Sequence, residues 1–407
     1  MAMVICLTLL INTSFKIIEV YGIVFTASSI LCPIVAGLYC LVLIKCRVVQ
    51  QQQVLNQCLL ALYVFSIGIY LLVNLPAAEN MRDNIAYQIV FEEIPRKFFA
   101  SALAFALSFY LPHLYCSTRK KSILATPKKC LILALCGGFF FFSIDFFLLF
   151  SDPRAADFLK IYLDSLLIAT VILSLIGATF LICLLRNRLL LKEFSADHID
   201  PLFHYLVGFS VVVLLICLAC EYRLLSFITG IVLAASSIFF PLIIIASNLI
   251  GELYGYKANL RLTWILLASE LFFDFVLMLV IVLPSPDFFN LNPFYYFIMP
   301  RRIPATTLSL LLAFGTNAWL LEKLKHTNYG HNQSLRLIMA NTLAGTLLCL
   351  VNYTLLFAGV YPYEQVLDLA LSSWLYKFTV SLISLPLVIW VYNRQVASLN
   401  SCNYSAQ

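Results

Sequence analysis

Stretches of about twenty mostly apolar residues recur along this chain, among them 203 to 220, 263 to 283 and 368 to 392. Wound as a helix, about 20 such residues cross a hydrocarbon layer of roughly 30 Å. Lipid offers the backbone no hydrogen-bonding partner, so a spanning chain is either helical or a closed barrel. A barrel would need short segments of strict alternation, whereas these runs are continuously apolar. The expected fold class is therefore an all-α polytopic membrane protein. Composition agrees: 62% of the 407 residues are hydrophobic and 11% are charged, against about 25% charged in an ordinary soluble domain.

Twelve helices are predicted, at 1–14, 20–44, 53–75, 96–115, 130–150, 159–185, 202–220, 227–250, 263–284, 301–321, 337–358 and 368–392. Alternating loops then place sixteen Lys and Arg on one side, including Lys120, Lys121, Arg188, Lys323 and Lys325, and nine on the other. Cytoplasmic loops carry the excess of such residues, so both termini are expected on the cytoplasmic side. Loops near Glu79 and Asp287 are expected outside. The net charge of +6 is spread over these short loops. It orients helices against lipids and does not call for nucleic acid. The first helix begins apolar at Met3 without a basic leader; a retained signal anchor is the other reading of that segment.

The chain repeats itself. Residues 22 to 33, GIVFTASSILCP, agree at eight of twelve places with 230 to 241, GIVLAASSIFFP, 208 positions later. PRKFFASALAF at 95 to 105 meets PRRIPATTLSL at 300 to 310, and Gly138 with Asp145 meets Gly345 with Asn352. Three anchors in one order at nearly constant offset imply a duplication. Its copies are expected at 1–195 and 201–395, as two tandem six-helix repeats that enter the membrane from the same side. Such parallel repeats are related by an axis along the membrane normal, which makes the chain a fused pseudo-dimer.

Ionisable groups at membrane depth are costly and mark cavities, partners or packing interfaces. Asn248 and Glu252, in ASNLIGELYG, share a helix face that ends at Gly255. An amide beside a carboxylate suits a planar, nitrogen-rich solute, although Glu252 at a hydrated helix end reads equally well. Glu270 and Asp274 share the next face; two neighbouring carboxyls compete for ionisation, as a proton-carrying site requires. Pairing with Lys377 or an interfacial Arg would make them structural instead. Lys377 lies several residues inside its span. Arg301 and Arg302 follow Pro300, and Arg96 and Lys97 follow Pro95, where Pro suits the first turn of a helix. Cations there oppose the helix dipole, so ligand contact or lipid-phosphate anchoring is needed to explain them. Asn317 lies deeper in the same span. In the first copy Asp145 and Asp164 are the costly acids, and Asp145 could join a site. The thirteen cysteines form no ligand cluster, and Cys217 and Cys220 fit small apolar filling better than a metal site.

With these residues in place, the second copy resembles the six-helix VUT family, the bacterial queuosine precursor transporters. The resemblance rests on ASSIFFPLIIIASNLIGELYGYK (235–257), MPRRIPATTLSLLLAFGTNAWLLEKLK (299–325), NTLAGTLLCLVNYTLLFAG (341–359) and LYKFTVSLISLP (375–386). It covers nearly all of 210–392 and, weakly, 12–186. It implies substrate contact near Asn248, Glu252, Arg301, Asn317 and Lys377, with Glu270, Asp274 and Asp145 as candidate coupling or interface residues. Asn248 and Cys349 stand where the family commonly has Asp, and LYCLVLIKC (38–46) replaces the polar ASNLIGELY in the first copy.

The expectation is a secondary transporter importing a small planar polar metabolite, a 7-deazaguanine queuosine precursor by resemblance, with protons as a candidate coupling ion. No phosphate-binding loop, cofactor motif, metal pattern or catalytic residue is expected. The rival reading is a noncatalytic membrane scaffold or assembly protein whose buried polar groups hold helices together. The second copy should carry the site, with the first as wall and packing partner.

Overall fold

The computed structural model describes residues 1–78, 94–124, 126–150, 158–186, 201–227, 231–285, 292–327 and 332–405. Arg188 and the loops around Glu79 and Asp287 lie outside these residues. In chain order the elements are α1 (Ala2–Thr13), β1 (Ile17–Val20), β2 (Ile23–Thr26), α2 (Ser28–Lys45) and α3 (Val48–Val73). Next come α4, which runs Ile94–Phe105, a π turn at Ala106–Tyr110 and Leu111–Arg119, then α5 (Pro127–Leu149) and α6 (Phe158–Leu185). The second half repeats the order: α7 (Pro201–Ala219), β3 (Leu224–Ser226), β4 (Val232–Ala234), α8 (Ser236–Tyr254), α9 (Tyr256–Val282), α10 (Asn292–Lys325), α11 (Gln333–Phe357) and α12 (Tyr363–Ser405). Among the described residues, eleven helices are long and apolar enough to cross a membrane. The exception among the twelve is α1. Its 12 residues rise only about 18 Å, and almost all of its side chains are buried.

Two predicted spans start too early. The helices expected at 20 and 227 begin at Ser28 and Ser236, because the residues ahead of them form antiparallel hairpins. In the first, Ile17 pairs with Thr26 and Val20 with Ile23. The two residues between, Tyr21 (φ 52°) and Gly22 (φ 82°), both have positive φ. That is the two-residue turn whose twist matches a hairpin, and the β-branched run IIEV–IVFT on either side supplies strand formers. Two small hairpins therefore accompany an otherwise all-α fold.

Another start was placed too late. The tenth span, expected from residue 301, is a helix from Asn292 with Pro300 and Pro304 inside it. Interior Pro is tolerated in membrane helices because the freed carbonyls find other partners. Arg301 and Arg302 are therefore not first-turn residues, and the opposition to the helix dipole expected from Pro300 does not arise. At α8 the expectation holds. The helix stops at Tyr254, with Gly255 at φ 79°, a conformation that costs a residue without a Cβ little.

The chain forms two compact units. The first comprises Met1–Leu71, Ile85–Ile199 and Phe275–Tyr295, and the second Leu72–Asn84, Asp200–Asp274 and Tyr296–Gln407. Each unit thus includes the end of the third span of the other half, held in the same way. In the first, Lys16 Nζ donates to the carbonyls of Val280 (2.6 Å) and Ile281 (2.8 Å), and Glu19 N to Pro284 O (3.1 Å). In the second, Arg223 Nη2 donates to Val73 O (2.6 Å) and Leu75 O (2.8 Å), and Ser226 N to Pro76 O (3.1 Å). The last carbonyls of a helix have no partner within it, and a cation at that end also complements the helix dipole. Lys16 and Arg223 lie 207 residues apart, as do Val73 and Val280, so one capping device occurs twice at the repeat spacing.

Candidate functional site

Three helices of the second unit present the same sequence of layers. On α8 the positions are Ser236, Phe240, Ile244 and Asn248; on α10 they are Thr306, Leu310, Phe314 and Asn317; on α11, read backwards, they are Asn352, Leu348, Ala344 and Asn341. Spacings of three and four residues stack on one helix face. Each face is polar at both ends and apolar between.

At the hairpin end, Glu221, Ser236, Phe240, Thr306, Ser309, Leu348, Asn352 and Lys377 line a cavity with about 330 Å³ of empty space. Asn352 Nδ2 donates to Glu221 Oε1 (2.8 Å), Thr306 Oγ1 approaches Glu221 Oε2 (3.4 Å), and Ser309 Oγ donates to Asn352 Oδ1 (3.3 Å). Burial pushes the Glu221 carboxyl up, opposed by the Asn352 hydrogen bond and the Arg302 charge. Lys377 Nζ sits 5.1 Å from the centre of the Phe240 ring and 5.2 Å from that of Tyr353, and 3.4 Å from Cys349 Sγ. Its charge therefore rests between two aromatic faces, an arrangement worth about 2 kcal/mol when desolvated. Tyr353 is held in turn by Ser237, hydroxyl to hydroxyl at 2.6 Å. Beside this group, Arg302 forms a buried ion pair with Asp274 and also donates to Leu218 O (3.3 Å). One turn before Asp274, Glu270 is fully buried and both its oxygens lie 3.0 Å from the single hydroxyl of Thr307.

At the far end of the same faces the side chains are amides. Asn248 Nδ2 donates to Asn341 Oδ1 (2.9 Å), and Asn317 Nδ2 to Ser247 Oγ (3.1 Å) and Asn248 Oδ1 (3.3 Å). Ser247 Oγ donates to Asn259 Oδ1 (2.8 Å). One turn beyond Asn248, Glu252 Oε2 accepts from Arg336 Nη2 at 2.9 Å, and Lys325 Nζ donates to Gly251 O (2.8 Å). From Ser236 to Glu252 the helix rises about 24 Å, so these layers run most of the way across a hydrocarbon core.

The residues singled out from sequence fall into distinct places. Lys377 lies in the hairpin-side cavity, Asn248 and Asn317 meet in the amide layer, and Glu252 is engaged by Arg336 one turn further on. Of the Pro300 arginines, Arg302 is buried and takes Asp274, while the half-buried Arg301 donates to Ala358 O (3.3 Å) and does not line the cavity. The structural alternative weighed for Asp274, pairing with an Arg, is the arrangement present. Asp145 belongs to the first unit, where it is fully buried and accepts from Ser101 Oγ at 2.6 Å. Asp164 accepts from Val24 N (3.1 Å) at the first hairpin. The side chains of Arg96 and Lys97 lie outside the described residues. Cys217 and Cys220 are both buried free thiols. Among the described residues no group of His, Cys, Asp and Glu could hold a metal ion.

Sequence reasoning missed Glu221, which lies just past a long apolar run, and the partners Arg336 and Asn341. Asn352 was noticed only as the counterpart of Asp145. The available signal was the spacing of Asn341 and Asn352 on α11, amides in an otherwise apolar span on the face that carries Ala344 and Leu348.

A family model described as "Putative vitamin uptake transporter" matches residues 234–391, which take in α8 to α12 and every layer just described except Glu221. No curated protein and no solved structure matches the chain.

Proposed function

We propose that the second unit is a secondary transporter for a small, flat, polar solute, with the 7-deazaguanine precursors of queuosine as its leading candidates. The observation that carries this reading is the hairpin-side cavity, where a carboxylate, an ammonium, an amide and an aromatic face converge at nine-tenths burial or more. Buried charges are disfavoured unless paired, and here Glu221 and Lys377 face a common space. A planar ring with adjacent N–H donors suits the Glu221 carboxylate, its carbonyl suits Lys377 and Asn352, and its face suits Phe240. The width of the cavity leaves the centre of a water molecule only about 20 Å³, so this conformation is closed and admission of a ring requires its helices to part. The family match over α8 to α12 supports a transport role.

Of the residues expected to touch solute, Lys377, Asn317 and Asn248 keep that assignment. Glu252 acts through Arg336 to close the far end, and Arg301 acts at the hairpin-side mouth. Glu270, beside the Asp274–Arg302 pair and hydrogen-bonded by the Thr307 hydroxyl, is the candidate proton carrier. All of this lies within a chain built from two tandem six-helix repeats whose first copy supports the second.

The test is restoration of queuosine-modified tRNA in cells that lack precursor uptake. Rescue is expected with the wild-type chain and not with Glu221→Gln or Lys377→Met. Membrane-inserted protein without rescue would sink the substrate assignment and favour a scaffold, and rescue by both variants would overturn the hairpin-side cavity as the solute site.

A further inference from the structure

Below the hairpin-side cavity lies a second, lined by Phe240, Ile244, Ala313, Phe314, Asn317, Ala344 and Leu348, which in this closed conformation leaves the centre of a water molecule only about 10 Å³ and, like the first, admits a ring only when its helices part. Phe240 and Leu348 line both cavities. They form the floor of one and the roof of the other, at the middle rung of the faces of α8 and α11. Phe240 is fixed from both sides, with Lys377 5.1 Å from its ring centre above and Phe314 at 6.0 Å between ring centres below. Around the second cavity every lining side chain except one is apolar. The exception, Asn317, is 1% exposed; its nitrogen donates to Ser247 and Asn248, and its Oδ1 has no hydrogen-bond partner. A buried amide oxygen left without a donor is costly, and a cavity of this lining offsets that cost only for a guest carrying an N–H or O–H.

Building on the transport reading, we infer that the solute path has two binding stations in series, separated by a neck of Phe240 and Leu348. The second station takes a flat, largely apolar ring edge that donates one hydrogen bond to Asn317 Oδ1. The first station recognises the solute by charge and hydrogen bonding, through Glu221, Asn352 and Lys377. The second has a single directional contact, so it holds the ring weakly and releases it toward the Asn248–Asn341 layer and the Glu252–Arg336 pair. Conduction requires such a graded sequence, because a solute bound tightly at every step would not leave.

The full chain in vesicles tests this with two independent readouts. The first uses labelled 7-deazaguanine for equilibrium binding and for uptake. Leu348→Phe should lower uptake at least about tenfold, the scale of one or more added carbons in a tight apolar passage, and by more than it weakens binding. Asn317→Leu should show the same split, while Glu221→Gln should lose binding itself. The second readout needs no solute. A charged methanethiosulfonate reagent applied from the hairpin side is located by peptide mass at Ser309→Cys, in the first cavity, and at Ala344→Cys, in the second. Reaction is expected at Ser309→Cys alone while Phe240 is present, and at both once Phe240→Ala is added. Equal reaction at both with Phe240 in place overturns the neck whatever the solute is. Wild-type uptake by both Leu348→Phe and Asn317→Leu overturns the second station. Absence of any 7-deazaguanine binding by the wild-type chain, with the thiol pattern as expected, overturns the solute assignment and leaves the neck standing.

Discussion

The cores of the two units are built on matching positions and filled in opposite ways. In the second, Ser247, Asn248, Leu348 and Asn352 mark the polar ends and the neck of a path. The residues 207 or 208 positions earlier are Tyr39, Cys40, Phe141 and Asp145. In the first unit Tyr39 and Phe109 meet edge to face at 5.0 Å, Phe109 and Phe141 at 5.4 Å, and Phe105 lies 5.6 Å from Phe109. These four rings are fully buried. Aromatic pairs of this geometry contribute about 0.5–1.5 kcal/mol beyond their buried area. The polar remnant is small: Tyr39 Oη meets His113 Nδ1 at 3.2 Å, and Ser101 meets Asp145. The first unit therefore has rings, Tyr39 and Phe141, where the second has Ser247 and Leu348, and a thiol and a carboxyl, Cys40 and Asp145, where the second has the amides Asn248 and Asn352; this contrast supports the proposal that transport belongs to the second.

If this contrast is right, the largest effect belongs to the Asp274–Arg302 pair, which the first unit does not share. Removing one partner of a buried pair strands the other charge, a loss of about 3–5 kcal/mol. Arg302→Met should therefore lower the yield of folded protein in the membrane sharply, and Asp274→Asn combined with Arg302→Met should recover much of it. A single variant as well folded as wild type, judged by thermal unfolding in detergent, would remove the pair from the account of stability.

Next in size is a contrast between two glycines at matched positions. A Cβ at Gly138 would lie 2.6 Å from Ala36 Cβ and 2.9 Å from Leu173 Cδ2, and one at the neighbouring Gly137 would lie 2.7 Å from Phe109 Cε1. At Gly345 the nearest atom is Trp374 Cδ1 at 3.9 Å. Overpacking costs about 1–3 kcal/mol, so Gly138→Ala should destabilise by that amount while Gly345→Ala stays near wild type or gains slightly through helix propensity. Equal melting temperatures for the two variants would mean that the first unit is no more tightly filled than the second.

A smaller effect is expected at Asp145. Ser101 donates to its Oδ1, and its Oδ2 has no partner. Asp145→Asn keeps the acceptor and removes a charge from the core, and Asn352 at the matched position shows that an amide fits this place on the scaffold. Stability should change by no more than about 1 kcal/mol, with uptake retained. Loss of uptake at normal protein levels would bring Asp145 into the transport path.

Helix number and order were legible in the sequence because lipid enforces them: a run such as 203 to 220 has no alternative to a helix, and α7 spans Pro201–Ala219. The hairpins were not, because IIEVYGIVFT is apolar enough to pass as the start of α2, and only its β-branched residues and Tyr-Gly turn distinguish it. Spacing places Asn248 and Glu252 on one face, yet it cannot show that Glu252 reaches Arg336, since their meeting depends on how α8 packs with α11. Lys377 was recognised by its cost in the membrane, while Glu221 escaped because an acid two residues past a span ordinarily sits in water. Choosing Arg301 over Arg302 was a matter of helix phase. Once the helix begins at Asn292, it is Arg302 that turns inward.

The comparison that sharpens the contrast most sets an amide against a thiol at one matched position, where the thiol is expected to give the smallest effect of all. Asn248 donates to Asn341 and accepts from Asn317. Asn248→Ala would leave Asn341 Oδ1 without this donor and Asn317 Nδ2 with Ser247 alone. Partners stranded in a buried layer cost about 1–3 kcal/mol, and the solute would lose the layer through which it leaves the second station. Cys40, 208 residues earlier, is 1% exposed and packs as a small apolar side chain. Cys40→Ala removes one sulfur from a close-packed core, a loss of no more than about 1 kcal/mol, and should leave uptake unchanged. The check is a pair of uptake curves at matched membrane protein levels. Asn248→Ala is expected to be impaired and Cys40→Ala to superimpose on wild type, whereas comparable impairment in both would mean that the first unit takes part in moving the solute as directly as the second.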